Sequence, residues 1–177
     1  MWLLYIVLLP AVIVAVSVLY DFLWKAIHEY SHLVALKYTA GKDLTSYKVR
    51  LYRHELHGEW VPASLTWQTS RHLTYREVAV IAIAPHVIEF FACIAFMASP
   101  LFLLGGLDNY PAFFCWASFW FSGIVDLMAA LVCGSVHSDL YVYSHCTGTP
   151  VWEVKTYGWF TVATSILVCA FFLVLVI

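Results

Sequence analysis

His28-Glu29-Tyr30-Ser31-His32 sets two imidazoles four positions apart, with a carboxylate directly after the first. On an α-helix that spacing puts both rings on one face, so His28 and His32 can present nitrogens to a single Zn²⁺. Glu29 can then reach a water in an open coordination position and take its proton, while a further carboxylate from elsewhere completes the protein ligands. The chemistry expected of such a set is metal-assisted hydrolysis, with Glu29 as general base. With 8 histidines in the chain, an HExxH arises by accident in roughly one such sequence in a hundred. The rival reading is therefore two histidines near a helix end with an incidental Glu. Location weighs against it, because the motif lies inside an apolar run, where ionisable groups are costly and mark function.

A third ligand has to come from elsewhere, and a carboxylate is the usual companion of two histidines. The residues alone leave Asp126, His137 and Asp139 as candidates. Asp126 precedes Gly134 by about 12 Å of helical rise, a depth comparable to that of His28 relative to Lys37. His86 and Glu89 lie three apart after Pro85, and they either orient the metal ligands or pair with each other. Of the five cysteines, Cys93, Cys115, Cys133 and Cys169 sit in apolar runs without disulfide or zinc-ribbon spacing and read as inert thiols. Cys146, beside His145, is weak evidence for a ligand.

These residues must be positioned by a chain that is 63% hydrophobic and 11% charged, far from the globular mix of about half apolar and a quarter charged. The composition predicts an all-α membrane protein with about four transmembrane helices and a single domain over 1–177. The expected spans are residues 2–37, 78–104, 112–133 and 151–177, each long enough for a bilayer core. A signal peptide at the N-terminus is disfavoured, since no basic residue follows Met1 and no small-residue cleavage site follows the apolar run. Three-to-four spacing of Leu23, Ile27, Tyr30, Val34 and Tyr38 extends the first helix through the motif, and Gly41 marks its stop.

The polar loop 42–76, with Lys37 at its edge, holds most of the basic residues, which predicts a cytoplasmic loop and a multi-pass protein whose active site faces the cytoplasm. Alternation over Tyr47–Leu51 predicts one strand, and Trp60–Trp67 a second, restricted to an edge by Pro62. A small cytoplasmic β-hairpin is the result, with His54-Glu55-Leu56-His57 as its turn. An exposed strand there could pair with an extended substrate, or be an ordinary amphipathic loop. The net charge of −2 argues against a nucleic-acid partner. The expected partners are the lipid bilayer and a membrane-protein or peptide substrate.

Three pieces of the sequence together resemble a family of small membrane zincin peptidases, related in plan to the site-two protease clan of intramembrane zinc metalloproteases. They are Ala26-Ile27-His28-Glu29-Tyr30-Ser31-His32, Ile83-Ala84-Pro85 and Gly134-Ser135-Val136-His137-Ser138-Asp139-Leu140. The resemblance implies that His28, His32 and Asp139 ligate zinc and that Glu29 is the base. The chain departs from the site-two protease pattern after the third ligand, where Leu140 stands instead of Gly, and it lacks an Asn-Pro segment before it.

The leading expectation is a membrane-embedded zinc metalloprotease that hydrolyses a peptide bond at the cytoplasmic side of the membrane. The alternative is a non-catalytic adaptor whose metal site is structural or sensory; four closed protein ligands would mark it, where a catalytic site keeps one position open. A metal transporter is disfavoured, since the ionisable residues gather toward one face rather than along a path.

Overall fold

The structure, a computed structural model, describes residues 2–56, 58–61, 63–103, 123–125, 128–132 and 138–176. Helix α1 (Trp2–Ala40) carries the motif and gives way at Gly41, whose φ of +53° suits glycine, to one 3₁₀ turn over Gly41–Asp43. Four short strands follow: β1 (Leu44–Arg50), β2 (His54–Leu56), β3 (Glu59–Val61) and β4 (Ser64–Thr69). They nest as two antiparallel hairpins, β2 on β3 inside β1 on β4, with Leu44 opposite Thr69 and Arg50 opposite Ser64. Helices α2 (Tyr75–Leu103), α3 (Asp139–Thr147) and α4 (Val151–Val176) complete the described chain.

One face of α1 is buried at four-residue steps: Trp24 at 1%, His32 at 8%, Leu36 at 0% and Ala40 at 3% exposed. Leu33, Leu36 and Ala40 join Leu65 of β4 and Ile81 of α2 in one core. A second core gathers Ile124, Leu131, Leu140 of α3 and Val154 and Val162 of α4. The motif helix is thus pressed between the sheet and α2. At its other end Trp24 lies against Gly123, where a Cβ would fall 2.3 Å from the indole Cζ2.

The start of α2 is fixed by a capping box. The Glu77 amide donates to Thr74 Oγ1 at 3.3 Å, and the Thr74 amide and hydroxyl donate to the Glu77 carboxylate at 2.8 and 2.9 Å. Arg71 bonds both Glu77 and Asp43, tying the end of α1 to the start of α2. Arg71 and Thr74 hold Glu77 at a pKa of about 2, and Arg71 together with Ser70 lowers that of Asp43.

Two expectations are corrected. Among the described residues, no helix is long and apolar enough to cross a membrane. Four transmembrane helices and a multi-pass placement are therefore not supported, and the cytoplasmic assignment of loop and site loses its basis. Charged side chains gather in parts of these helices: Asp21, Lys25 and Glu29 in the second half of α1, Arg76, Glu77 and Glu89 in the first half of α2, and Glu153 and Lys155 at the start of α4. Most of the expected span 112–133, with Asp126, and also His137 lie outside the described residues. The single hairpin is also revised. His54–Leu56 is a strand rather than the turn, Gly58 at φ +84° lies in the connection, and the second strand is split between Val61 and Ser64, beside Pro62 in the sequence.

Candidate metal centre

Helices α1 and α2 run antiparallel, so His32 meets Ile81 while His28, one turn earlier, meets Glu89. Asp139 arrives from the first position of α3, after Ser138, whose carbonyl accepts the Tyr141 and Val142 amides. A carboxylate in a helix's first turn also faces the positive end of its dipole. The three residues named from the sequence come together: Asp139 Oδ2 is 2.9 Å from His28 Nε2 and 3.2 Å from His32 Nε2. His28, His32 and Asp139 form a cluster that could hold a metal ion, with their ligand atoms within 4.8 Å of one another. The two nitrogen–oxygen separations are close to the roughly 3.3 Å edge of a tetrahedron built on Zn–N and Zn–O bonds of about 2.0–2.1 Å.

The other nitrogen of each ring is already committed. His32 Nδ1 lies 2.8 Å from the Ile81 carbonyl oxygen, which can only accept, so Nδ1 carries the proton and Nε2 of the neutral ring is a lone pair. His28 Nδ1 lies 2.9 Å from Glu89 Oε1, and when it donates there, Nε2 of the neutral ring is a lone pair as well. Two lone pairs then face the Asp139 carboxylate, three acceptors without a donor. Either protons or a cation must sit among them, and a metal ion satisfies all three at once. The donor set therefore fits a metal, and the Nδ1 partners fix both tautomers as outer partners of ligating histidines do.

The charges favour the proton alternative as well: an imidazolium at His28 donates to both carboxylates. Burial works to lower the His28 pKa, but hydrogen bonds to Asp139 and Glu89 outweigh it and raise it well above the ordinary imidazole value. Burial works to raise the Asp139 pKa, and the hydrogen bonds of His28 and His32 overcome it, holding the carboxyl well below the usual range. Glu89, at 3% exposed, is likewise kept ionised against burial by its bond to His28 and by the imidazole of His86 nearby. Glu29 differs. It is buried, no hydrogen bond holds its carboxyl among the described residues, and burial raises its pKa against the opposing pull of His28 and His32.

Of the groups singled out from the sequence, Glu29 is thus beside the cluster, Glu89 orients His28, and Cys146 is a free thiol outside the cluster. Sequence reasoning missed the Ile81 carbonyl. Its signal was Pro85, four positions on, which has no amide to give that carbonyl within α2. No family model, curated protein or solved structure matches the chain.

Proposed function

We propose that this protein is a zinc-dependent peptidase that hydrolyses a peptide bond, with His28, His32 and Asp139 as metal ligands and Glu29 as general base. The observation that carries the reading is the convergence of two tautomer-fixed Nε2 atoms and Asp139 Oδ2 beside a buried carboxylate with no hydrogen-bond partner among the described residues. Three protein ligands are what catalytic zinc sites use, where structural sites close with four. When bound, zinc would supply Lewis acidity, polarising the scissile carbonyl and acidifying water to a pKa of about 7.

The chain's own residues supply the rest. Glu29 takes a proton from the attacking water and hands it to the leaving amine, so a carboxyl of raised pKa suits both halves of the transfer. Glu89 and the Ile81 carbonyl hold the two imidazoles so that Nε2, not Nδ1, faces the reaction centre. Asp139 contributes negative charge on a helix terminus that restrains its rotation.

The test joins metal content to turnover. One equivalent of zinc by elemental analysis is expected in the wild type, lost in His28→Ala and Asp139→Ala. In Glu29→Gln the metal should stay, while cleavage of a peptide library falls about 10²- to 10⁴-fold. Folded wild type without metal, or full cleavage by Glu29→Gln, would overturn the reading.

A further inference from the structure

A cavity of about 510 Å³ opens beside the metal cluster, between α2, α3, α4 and residues 128–132. Its walls are mostly apolar, among them Ile83, Val87, Phe90, Leu140 and Val154. Two of its lining residues join it to the site. Leu140 follows the ligand Asp139, and the His86 ring stands edge-on to the His28 ring with centroids 5.7 Å apart. A volume of this size falls in the range of about 300–1,000 Å³ that small-molecule sites occupy.

His86 is the second, independent observation. Its side chain is 10% exposed, and neither ring nitrogen has a hydrogen-bond partner among the described residues. The nearest carboxylate oxygen, Glu89 Oε2, is 3.7 Å away, beyond hydrogen-bond reach, and the other oxygen of Glu89 serves His28. A buried imidazole without partners is unfavourable unless something else supplies them. His86 lines the cavity, so a molecule entering it can do so.

We infer that this cavity is the pocket for a substrate side chain: it takes a large apolar residue, such as leucine or phenylalanine, next to the scissile bond, and His86 hydrogen-bonds the peptide group of that residue. The inference rests on the peptidase reading and names its substrate class. Apolar walls select for size, since each methylene left out of such a pocket costs about 10- to 200-fold in discrimination. Thr149, Glu153 and Thr161 also line the cavity, and His86, beside His28, adds a polar contact that every peptide can use and that fixes how the chain lies across the site.

The test is binding of N-acetylphenylalaninamide and N-acetylalaninamide to the full chain, followed by saturation-transfer NMR. The phenylalanine amide is expected to bind at least about tenfold more tightly than the alanine amide. Val87→Trp, at a position 46% exposed and so tolerant of change, should fill the cavity and erase that preference. His86→Phe keeps the ring and removes both nitrogens, and should weaken the phenylalanine amide about tenfold while the preference for size remains. Equal binding of the two amides, or a preference that survives in Val87→Trp, overturns the pocket. The peptidase reading is judged separately by zinc content and by Glu29→Gln, so selective binding without hydrolysis refutes that reading alone.

Discussion

His32 Nδ1 hydrogen-bonds the Ile81 carbonyl at 2.8 Å, across from one helix to the other. In a regular helix that carbonyl belongs to the amide four residues on, and here that residue is Pro85, which has none. The proline thus makes an acceptor available at the height of the His32 ring. Pro85→Ala would return an amide to compete for the same oxygen. The helix gains a bond, part of it offset by the space left where a fully buried ring is removed, while His32 loses the exclusive hold on its tautomer. Zinc affinity by competitive chelator titration is expected to fall about tenfold, with the Tm nearly unchanged, in line with other losses of an outer hydrogen bond. Undiminished affinity would show that the carbonyl serves both donors and that Pro85 does no positioning.

Glu89 makes the corresponding contact to His28, but as a charge rather than a carbonyl. At 2.9 Å from Nδ1 it both orients the ring and raises its basicity toward a metal. Glu89→Gln keeps an acceptor and removes the charge; Glu89→Ala removes both. The expected order of zinc affinity is wild type, then Gln about tenfold weaker, then Ala about a hundredfold weaker. An Ala variant equal to the Gln variant would mean that charge, and not orientation, is the whole effect.

The pair His28 and His32 was legible because a spacing of four and one helix are enough to place two side chains together. Asp139 was not legible from the residues alone: it lies more than a hundred positions from either histidine, no local periodicity reaches that far, and Asp126 and His137 competed until a resemblance favoured it. Glu89 was readable as a carboxylate in need of a partner, although not which partner, since that depends on the offset of two antiparallel helices. The Ile81 carbonyl was invisible as a side chain and readable only through Pro85. The apolar runs misled. They read as four bilayer spans, yet a cluster of ionisable groups, His28 with Glu89 and Asp139, sits where three of the described helices meet. The sheet was seen as one hairpin because alternation marks strands and says little about where a ladder breaks.

The offset between α1 and α2 is held outside the site by Arg71, which joins Asp43 at 2.9 Å to Glu77. Glu77 has a pKa of about 2 in the folded chain, against an ordinary value of about 4.3 when unfolded. A lowered folded pKa stabilises above the unfolded value, and the benefit fades as pH falls from about 4.3 toward 2. Asp43, also lowered, acts in the same sense. Thermal unfolding of wild type should therefore show a Tm that drops over this window. Arg71→Met should start lower at neutral pH and drop less, because its carboxylates titrate nearer their ordinary values. Parallel Tm–pH curves for the two proteins would sink the assignment.

Trp24 stands one turn before His28 and is 1% exposed, so its seat against Gly123 governs how α1 is rotated about its axis. A methyl group on residue 123 would approach Cζ2, Cε2 and Cη2 of the indole at 2.3, 2.6 and 2.8 Å, distances that no packed structure tolerates. The obstacle is a rigid ring and not the end of a flexible chain, so Gly123→Ala must shift either the indole or the backbone near 123. Overpacking of this kind costs about 1–3 kcal/mol. Because the displaced ring shares a helix face with His28 and His32, the same change should loosen the metal site. The expected outcome is a lower Tm, a red-shifted tryptophan emission and weaker zinc binding in one variant. The double variant Gly123→Ala with Trp24→Leu, which frees the space again, should recover part of both losses. A fall in Tm with zinc affinity intact would separate this contact from the site and leave it a matter of packing alone.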